Sequence, residues 1–274
     1  MNNRVFITGG ASGLGQALAL HYARDGWDVC IADLNDVRGK VTSRLLKAHG
    51  GKVLYFHADV TIEADLQRIA DALRVQWNGL DLLINNAGVA QLGAIDKVTL
   101  SDWEWILNIN VLGVVRGCKV FTPIFKKQGH GQILNIASMA CLLDVPLMAS
   151  YNASKAAVVA LSTTLDQELM QYGIRVSVAC PSFFHSNLDE SVRSTDLGTK
   201  RLMDKLSARG ELGADEVAER IVKGVTSSQT YIFPHIKGEC MWLAKRYLPH
   251  RWFSRIFQYY VKRMLPKPAA LSQD

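Results

Sequence analysis

Long apolar runs are missing from this chain of 274 residues. None approaches the eighteen or so residues that a membrane-spanning helix requires, so no spanning helix is expected. Cysteine is scarce. The five (residues 30, 118, 141, 180 and 240) are scattered through strand- and helix-like stretches with neither paired nor metal-ligand spacing. That pattern excludes a disulfide framework and a cysteine-bound metal, and it reads as reduced thiols in a cytoplasmic protein. No metal site is expected. Internal repeats, low-complexity tracts and composition-biased linkers are absent as well, which argues against solenoids and loosely tethered modules. The first strand-like run begins by Arg4, and this is read as leaving no room for a signal peptide. Acidic residues are also nearly missing from the C-terminal stretch. From Cys240 to the C-terminus there are seven Lys/Arg against the single acid Asp274, so the net charge of +6 lies entirely in the last 35 residues.

What is present is an alternation of short apolar runs with helical stretches. It points to an α/β fold, a single doubly wound parallel sheet with helices on both faces and a helical C-terminal extension. The length suits one domain large enough to bury a full core. The main body is assigned to residues 1–235, with a substrate lid at about 183–210, and the extension to 236–274.

The apolar run Val5-Phe6-Ile7 leads into Thr8-Gly9-Gly10-Ala11-Ser12-Gly13-Leu14-Gly15 and then a helix-like stretch from Gln16 to Arg24. Glycines at 9, 13 and 15 in a strand-to-helix turn permit a tight bend. They also let a pyrophosphate approach the helix N-terminus, where free N–H groups and the helix dipole favour negative charge. The interval is GxxxGxG, wider than the common GxGxxG. A second strand, Val29 to Ala32, ends at Asp33, eighteen residues after the last glycine. A carboxylate there accepts both ribose hydroxyls of an adenosine and repels a 2′-phosphate, by about 4 kcal/mol for a unit pair at 4 Å and an effective dielectric of 20. No Lys or Arg occupies 34–37 and Ser12 is not basic. The reading is therefore NAD(H) rather than NADP(H).

Tyr151 and Lys155 stand four residues apart, one helical turn, with Ser138 thirteen residues before the tyrosine at the end of an apolar run. An ammonium near a phenol favours the phenolate and is expected to lower its pKa from about 10. The pair then suits proton exchange with an alcohol or a carbonyl.

Taken together, these residues resemble the short-chain dehydrogenase/reductase family over roughly residues 3–235. The loop from Thr8 to Gly15 is similar to the family's TGxxxGxG segment, and Asp59-Val60 to its adenine-pocket pair. Asn85-Asn86-Ala87-Gly88 is similar to its NNAG segment, and Asn108-Ile109-Asn110-Val111-Leu112-Gly113 places its catalytic asparagine at Asn110. The resemblance implies a tetrad of Asn110, Ser138, Tyr151 and Lys155. Tyr151 would be the general acid/base. Lys155 would tune it and hold the nicotinamide ribose, Ser138 would hydrogen-bond the substrate oxygen, and Asn110 would hold a water linking the lysine to solvent. The cofactor contacts implied are Thr8, Gly9, Ser12, Gly13, Leu14, Gly15, Asp33, Asp59, Val60, Asn86, Ala87, Gly88, Tyr151, Lys155, Pro181 and Ser186. A homodimer or homotetramer is implied too.

One departure stands out. Where the family continues Pro-Gly-x-x-x-Thr, this chain has Pro181-Ser182-Phe183-Phe184-His185-Ser186. Ser186 keeps a hydroxyl where the threonine would contact the carboxamide. Ser182 implies a backbone that avoids positive φ. His185 reads as structural or substrate-facing rather than as an extra acid/base. The segment 139–148 and the lid both border the expected nicotinamide site. Their apolar side chains, with Leu143, Met148, Phe183 and Phe184 as substrate contacts beside Ser138 and Tyr151, favour a hydrophobic secondary alcohol or ketone of lipid, steroid or retinoid type. Other readings of the same residues are a cofactor-binding regulator or scaffold and a redox-neutral epimerase.

After Pro249 the spacing predicts a helix with Trp252, Phe253, Ile256, Phe257, Tyr260 and Met264 on one face and Arg251, Arg255, Gln258 and Lys262 opposite, ended by Pro266 and Pro268. A basic amphipathic helix is the pattern of peripheral membrane contact, here through 240–268. The competing reading is packing on its own domain or on a partner subunit. No nucleic-acid motif accompanies the basic residues, and no nucleic-acid partner is expected.

Overall fold

The computed structural model describes residues 2–184, 187–196, 198–199, 201 and 210–264. Seven parallel strands form one sheet in the order β3-β2-β1-β4-β6-β7-β9. They are β1 (Arg4–Thr8), β2 (Asp28–Asp33), β3 (Val53–His57), β4 (Leu82–Asn85), β6 (Gly131–Ile136), β7 (Ile174–Ala179) and β9 (Tyr231–Ile232). Two further strands among the described residues, β5 (Ala90–Leu92) and β8 (Val192–Ser194), pair in parallel with each other. The chain runs outward from β1 through β2 to β3, then returns to place β4 on the other side of β1. The order of strands reverses between β1 and β4, and their carboxyl ends open a crevice there.

The period-2 alternation of buried strands sorts side chains into two layers. Val5 and Ile7 of β1, Val29 and Ile31 of β2, and Leu82 and Ile84 of β4 face one apolar layer, with helices α1 (Gly13–Arg24) and α8 (Ala214–Thr226). Phe6, Cys30 and Leu83 face the other layer, with α3 (Glu63–Trp77), α5 (Gly113–Gln128) and α7 (Ala149–Leu169). Phe6 meets Phe121 at 5.0 Å between ring centroids, neither exposed. Each such ring contributes roughly 2–3 kcal/mol of burial.

The other helices are α2 (Asp36–Lys47), α4 (Leu100–Leu107), the short α6 (Met139–Leu143), α9 (Ile236–Tyr247) and α10 (His250–Met264). A single π-turn, Asn108–Leu112, joins α4 to α5. Pro249 directly precedes α10, and its carbonyl accepts from the N–H groups of Trp252 and Phe253. The apolar face expected for that helix divides. Phe253 and Phe257 pack into the core of the main body, whereas Trp252 is turned to solvent. Ile256, Tyr260 and Met264 fall outside the described side chains. Among the described residues no helix is long and apolar enough to cross a membrane, and no three His, Cys, Asp or Glu side chains are grouped as a metal site.

Candidate active site

At the carboxyl ends of β1 and β4 the glycine-rich turn is built by close approach. Gly9 adopts φ +63°, and a Cβ there would stand 2.9 Å from the Ala87 Cα. Gly15 has ordinary φ, but a Cβ on it would come within 2.1 Å of the Gly9 carbonyl oxygen, so only glycine lets α1 sit against the loop. Thr8 is buried, and its Oγ1 accepts from the N–H groups of Asn86 (3.0 Å) and Ala87 (3.1 Å). Asn86 Nδ2 donates to the carbonyls of Thr8 and Gly9. Thr8 and Gly15 thus shape the turn from behind, while Gly9, Ser12, Gly13 and Leu14 line a cleft of about 720 Å³.

The cleft runs from Asp33, Asp59 and Val60 at one end, past Asn86, Ala87 and Gly88, to Ser138, Tyr151, Lys155 and Pro181 at the other. Asp33 ends β2, and its carboxylate accepts from the N–H groups of Ala11 and Asn35, both at 3.0 Å. These bonds fix it at the cleft wall. One Asp59 oxygen accepts from Thr61 N and Oγ1.

Tyr151 and Lys155 lie on α7, the helix that a buried polar chain ties to the sheet. Asn85 Nδ2 donates to Asn135 Oδ1 (2.8 Å), and Asn135 Nδ2 donates to Ser162 Oγ (2.9 Å), which links β4, β6 and α7 in register. Lys155 is buried. Its Nζ donates to the Ile136 carbonyl at 2.9 Å and lies 5.9 Å from the centre of the Tyr151 ring. Burial brings the ammonium down to about 8. Burial also pushes the Tyr151 phenol up to about 12, opposed by its hydrogen bond with Ser138. The expected lowering of the phenol by Lys155 is therefore not what the protein alone produces. Desolvation of a ring that is 5 % exposed outweighs the Ser138 hydrogen bond. Ser138 caps α6, its Oγ accepting from Ala140 N at 3.1 Å.

Asn110 sits in the π-turn, fully buried. Its Nδ2 donates to Val89 O (2.9 Å) and Ser154 Oγ (3.0 Å), and its Oδ1 accepts from Val89 N (2.9 Å). Both ends of its side-chain amide are thereby engaged on protein partners. The side chain clamps the strand after Gly88 to α7. A Cβ on Gly88 would come within 3.1 Å of Asn110 Oδ1 and 3.2 Å of Lys155 Nζ, so the glycine keeps room beside the lysine.

Met148 and Phe183 line the cleft beside Tyr151, and Phe184 lines it while packing against the layer of α1 and α8. Leu143 does not. It is buried in the apolar layer on the far side of its short helix. Ser186 and His185 lie outside the described residues. Ser182 has no positive φ, and its N–H donates to His235 Nδ1 at 3.2 Å, a partner that nothing local in the sequence announces. Val89, Trp105 and Leu188 also line the Tyr151 end. So does Arg38 at the adenosine end, where it pairs with Glu190 at 2.7 Å. Arg38 was findable, since Asn35 reads as an N-cap and puts Arg38 in the first turn beyond Asp33. Glu190 and Leu188 were not, because the lid's path is set by the distant pairing of β8 with β5.

A family model described as short chain dehydrogenase matches residues 3–197. The chain belongs to the short-chain dehydrogenase/reductase family. The CLA biosynthesis dehydrogenase/reductase of Lactiplantibacillus plantarum is 33 % identical over 249 residues, covering 84 % of this chain and 87 % of that protein. A short-chain dehydrogenase/reductase from Burkholderia phymatum, solved in complex with NAD, superposes with a TM-score of 0.85 at 31 % identity, over 89 % of this chain and 93 % of that one. The apo form of LigD from Sphingobium sp. strain SYK-6 reaches a TM-score of 0.75 at 27 % identity over 97 % and 99 % of the two chains. This member of the family is an oxidoreductase acting on CH–OH groups, built on the family's nucleotide-binding fold.

Proposed function

We propose that this short-chain dehydrogenase/reductase interconverts a hydrophobic secondary alcohol and its ketone with NAD(H). The observation that carries the reading is one cleft with a fixed carboxylate, Asp33, at one end and the buried pair Tyr151 and Lys155 against apolar walls at the other. The dinucleotide fits this chain: the Gly9 turn has no room for a side chain, and Asp33 presents acceptors where an adenosine ribose would lie. When bound, it supplies hydride exchange at the carbinol carbon.

The protein's own residues handle the proton. Ser138 Oγ orients the substrate oxygen against the Tyr151 hydroxyl. That hydroxyl gives its proton to the oxygen as a ketone is reduced and takes it back as an alcohol is oxidised. Lys155 adds positive charge 5.9 Å from the centre of the phenol ring and favours its ionised form, an effect that an oxidised nicotinamide held here would reinforce. Asn110, engaged with Val89 and Ser154, is a positioning residue.

Two features favour NADH over NADPH. Asp33 opposes a 2′-phosphate, and the nearby cation Arg38 is already paired with Glu190. The hydrophobic substrate is supported by Trp105, Met148, Phe183 and Leu188, which gather with Tyr151 in one apolar cluster. The relative named for CLA biosynthesis is compatible with it.

The deciding experiment titrates wild type and Asp33→Ala with NADH and NADPH, then screens turnover on apolar secondary alcohols beside sugar alcohols. The expected result is tighter NADH binding by wild type, lost in the variant, and turnover of the apolar panel. Tighter NADPH binding by wild type overturns the cofactor assignment, and turnover confined to sugar alcohols overturns the substrate class.

A further inference from the structure

The last two described helices each bury one face and turn another outward. On α10, Phe253 (7 % exposed) and Phe257 stack at 5.6 Å and enter the core. Trp252 and Tyr259, seven residues apart and so on one line of the helix, are 67 % and 55 % exposed. Arg251 and Arg255 are exposed on the same helix. On α9, Met241 and Trp242 pack inward, whereas Ile236, Leu243 and Tyr247 follow an outward line and are all exposed. Residues 1–239 are formally neutral, and the six net positive charges lie between 240 and 274.

Exposed Trp and Tyr interleaved with Arg and Lys suit the headgroup level of a bilayer, where an amphipathic ring has both an apolar and a wet neighbour. We propose that the outward faces of α9 and α10 dock this protein on an anionic membrane surface. Charge selects that occupant over a second copy of the chain. A two-fold interface sets a patch against itself. Here that would oppose Arg251 and Arg255 to their own kind, with no acid between Glu239 and Asp274 to offset them. An anionic leaflet presents the opposite sign. Because Phe253 and Phe257 are committed to the core, the contact is shallow, reversible and salt-sensitive rather than an inserted helix. The proposal is independent of the substrate assignment, since NADH binding by the soluble protein does not involve this face.

The test is co-sedimentation of the full chain with phosphatidylcholine vesicles, with and without about one-third phosphatidylserine. It compares wild type, Trp252→Ser/Tyr259→Ser and Arg251→Gln/Arg255→Gln, with analytical ultracentrifugation and NADH binding measured on each. Wild type is expected to bind only the anionic vesicles and to release them at high salt. The arginine variant is expected to lose roughly 25-fold in affinity, at about fivefold per basic residue near an anionic surface. The aromatic variant is expected to bind more weakly, with NADH binding intact in both. The proposal is overturned by no binding of wild type to anionic vesicles at low salt, by vesicle binding unchanged in both variants, or by a change of oligomeric state in the aromatic variant with vesicle binding unchanged, which assigns the face to a subunit interface. Tighter binding of a single-stranded oligonucleotide than of vesicles, lost in the same variants, overturns it in favour of nucleic acid.

Discussion

A phenol and an ammonium buried at the same end of a cleft each resist carrying charge, and the consequences run in opposite directions for the two groups. Tyr151, held up to about 12, keeps its proton at neutral pH and is ready to donate it, so ketone reduction is supported there while alcohol oxidation gains as pH rises. Replacing Tyr151 by Phe removes the donor and leaves the cleft wall in place. The expected outcome is a fall in kcat of about 10³-fold with NADH affinity unchanged, read by steady-state rates beside a fluorescence titration. Lys155, brought down to about 8 from an ordinary 10.5, carries a cost at neutral pH. The unfolded chain binds the proton more readily than the folded one, so this residue's contribution to stability rises with pH between those two values. The interval corresponds to roughly 3 kcal/mol, from which the lost bond to the Ile136 carbonyl subtracts about 1 kcal/mol. Lys155→Met should therefore be inactive yet more stable at pH 7 by about 1–2 kcal/mol, the gain fading towards pH 10. Urea denaturation at both pH values measures this, and a variant less stable at pH 7 would refute the cost of the buried charge.

Elements, rather than single residues, decide what stands opposite the adenosine end of the cleft. Arg38 projects from the first turn of α2, and Glu190 comes from the lid that β8 anchors to β5. Both side chains are about half exposed, so the pair is worth little in stability. Its effect is on selectivity, because a paired guanidinium is a poorer phosphate ligand than a free one. Glu190→Gln is expected to improve NADPH affinity relative to NADH by about two- to fivefold, with kcat for NADH-linked turnover unchanged. An unchanged affinity ratio in parallel titrations would remove Arg38 from the specificity argument. The same elements mark the limits of sequence reading. The glycine turn, the strand ending at Asp33 and the helix carrying Tyr151 and Lys155 were legible because each is set by spacing within a dozen or so residues. The β5–β8 pairing, the π-turn around Asn110 and the burial of Leu143 were not, since each depends on segments far apart in the chain. Trp252 was placed with Phe253 by helical period alone, and the period could not say that the core would take only part of that face.

Across the whole molecule, the C-terminal extension and the catalytic loop are mechanically joined. Lys245 on α9 donates through Nζ to the Leu142 carbonyl at 2.9 Å and pairs with Asp144. Leu142 and Asp144 belong to the segment between Ser138 and Tyr151. Asp144 caps α6 in the left-handed region at φ +56°, a conformation uncommon for a residue with a side chain. A lysine half-shielded at this point supplies both the donor for an end-of-helix carbonyl and the counter-charge for the capping residue, and so it helps to hold the loop that ends at Met148 on the cleft wall. Cutting the tie should loosen the substrate end without touching the nucleotide end, because Asp33 and the glycine turn rest on β1, β2 and β4. For Lys245→Met the expected outcome is a rise in KM for the alcohol or ketone of about three- to tenfold, with NADH affinity unchanged, given that removing an ion pair supported by a second hydrogen bond costs about 1 kcal/mol. Lys245→Arg should recover most of the loss, as the guanidinium can reach the same two acceptors. Equal losses in substrate and NADH affinity would instead show that the extension stabilises the body as a whole and does not act through the loop.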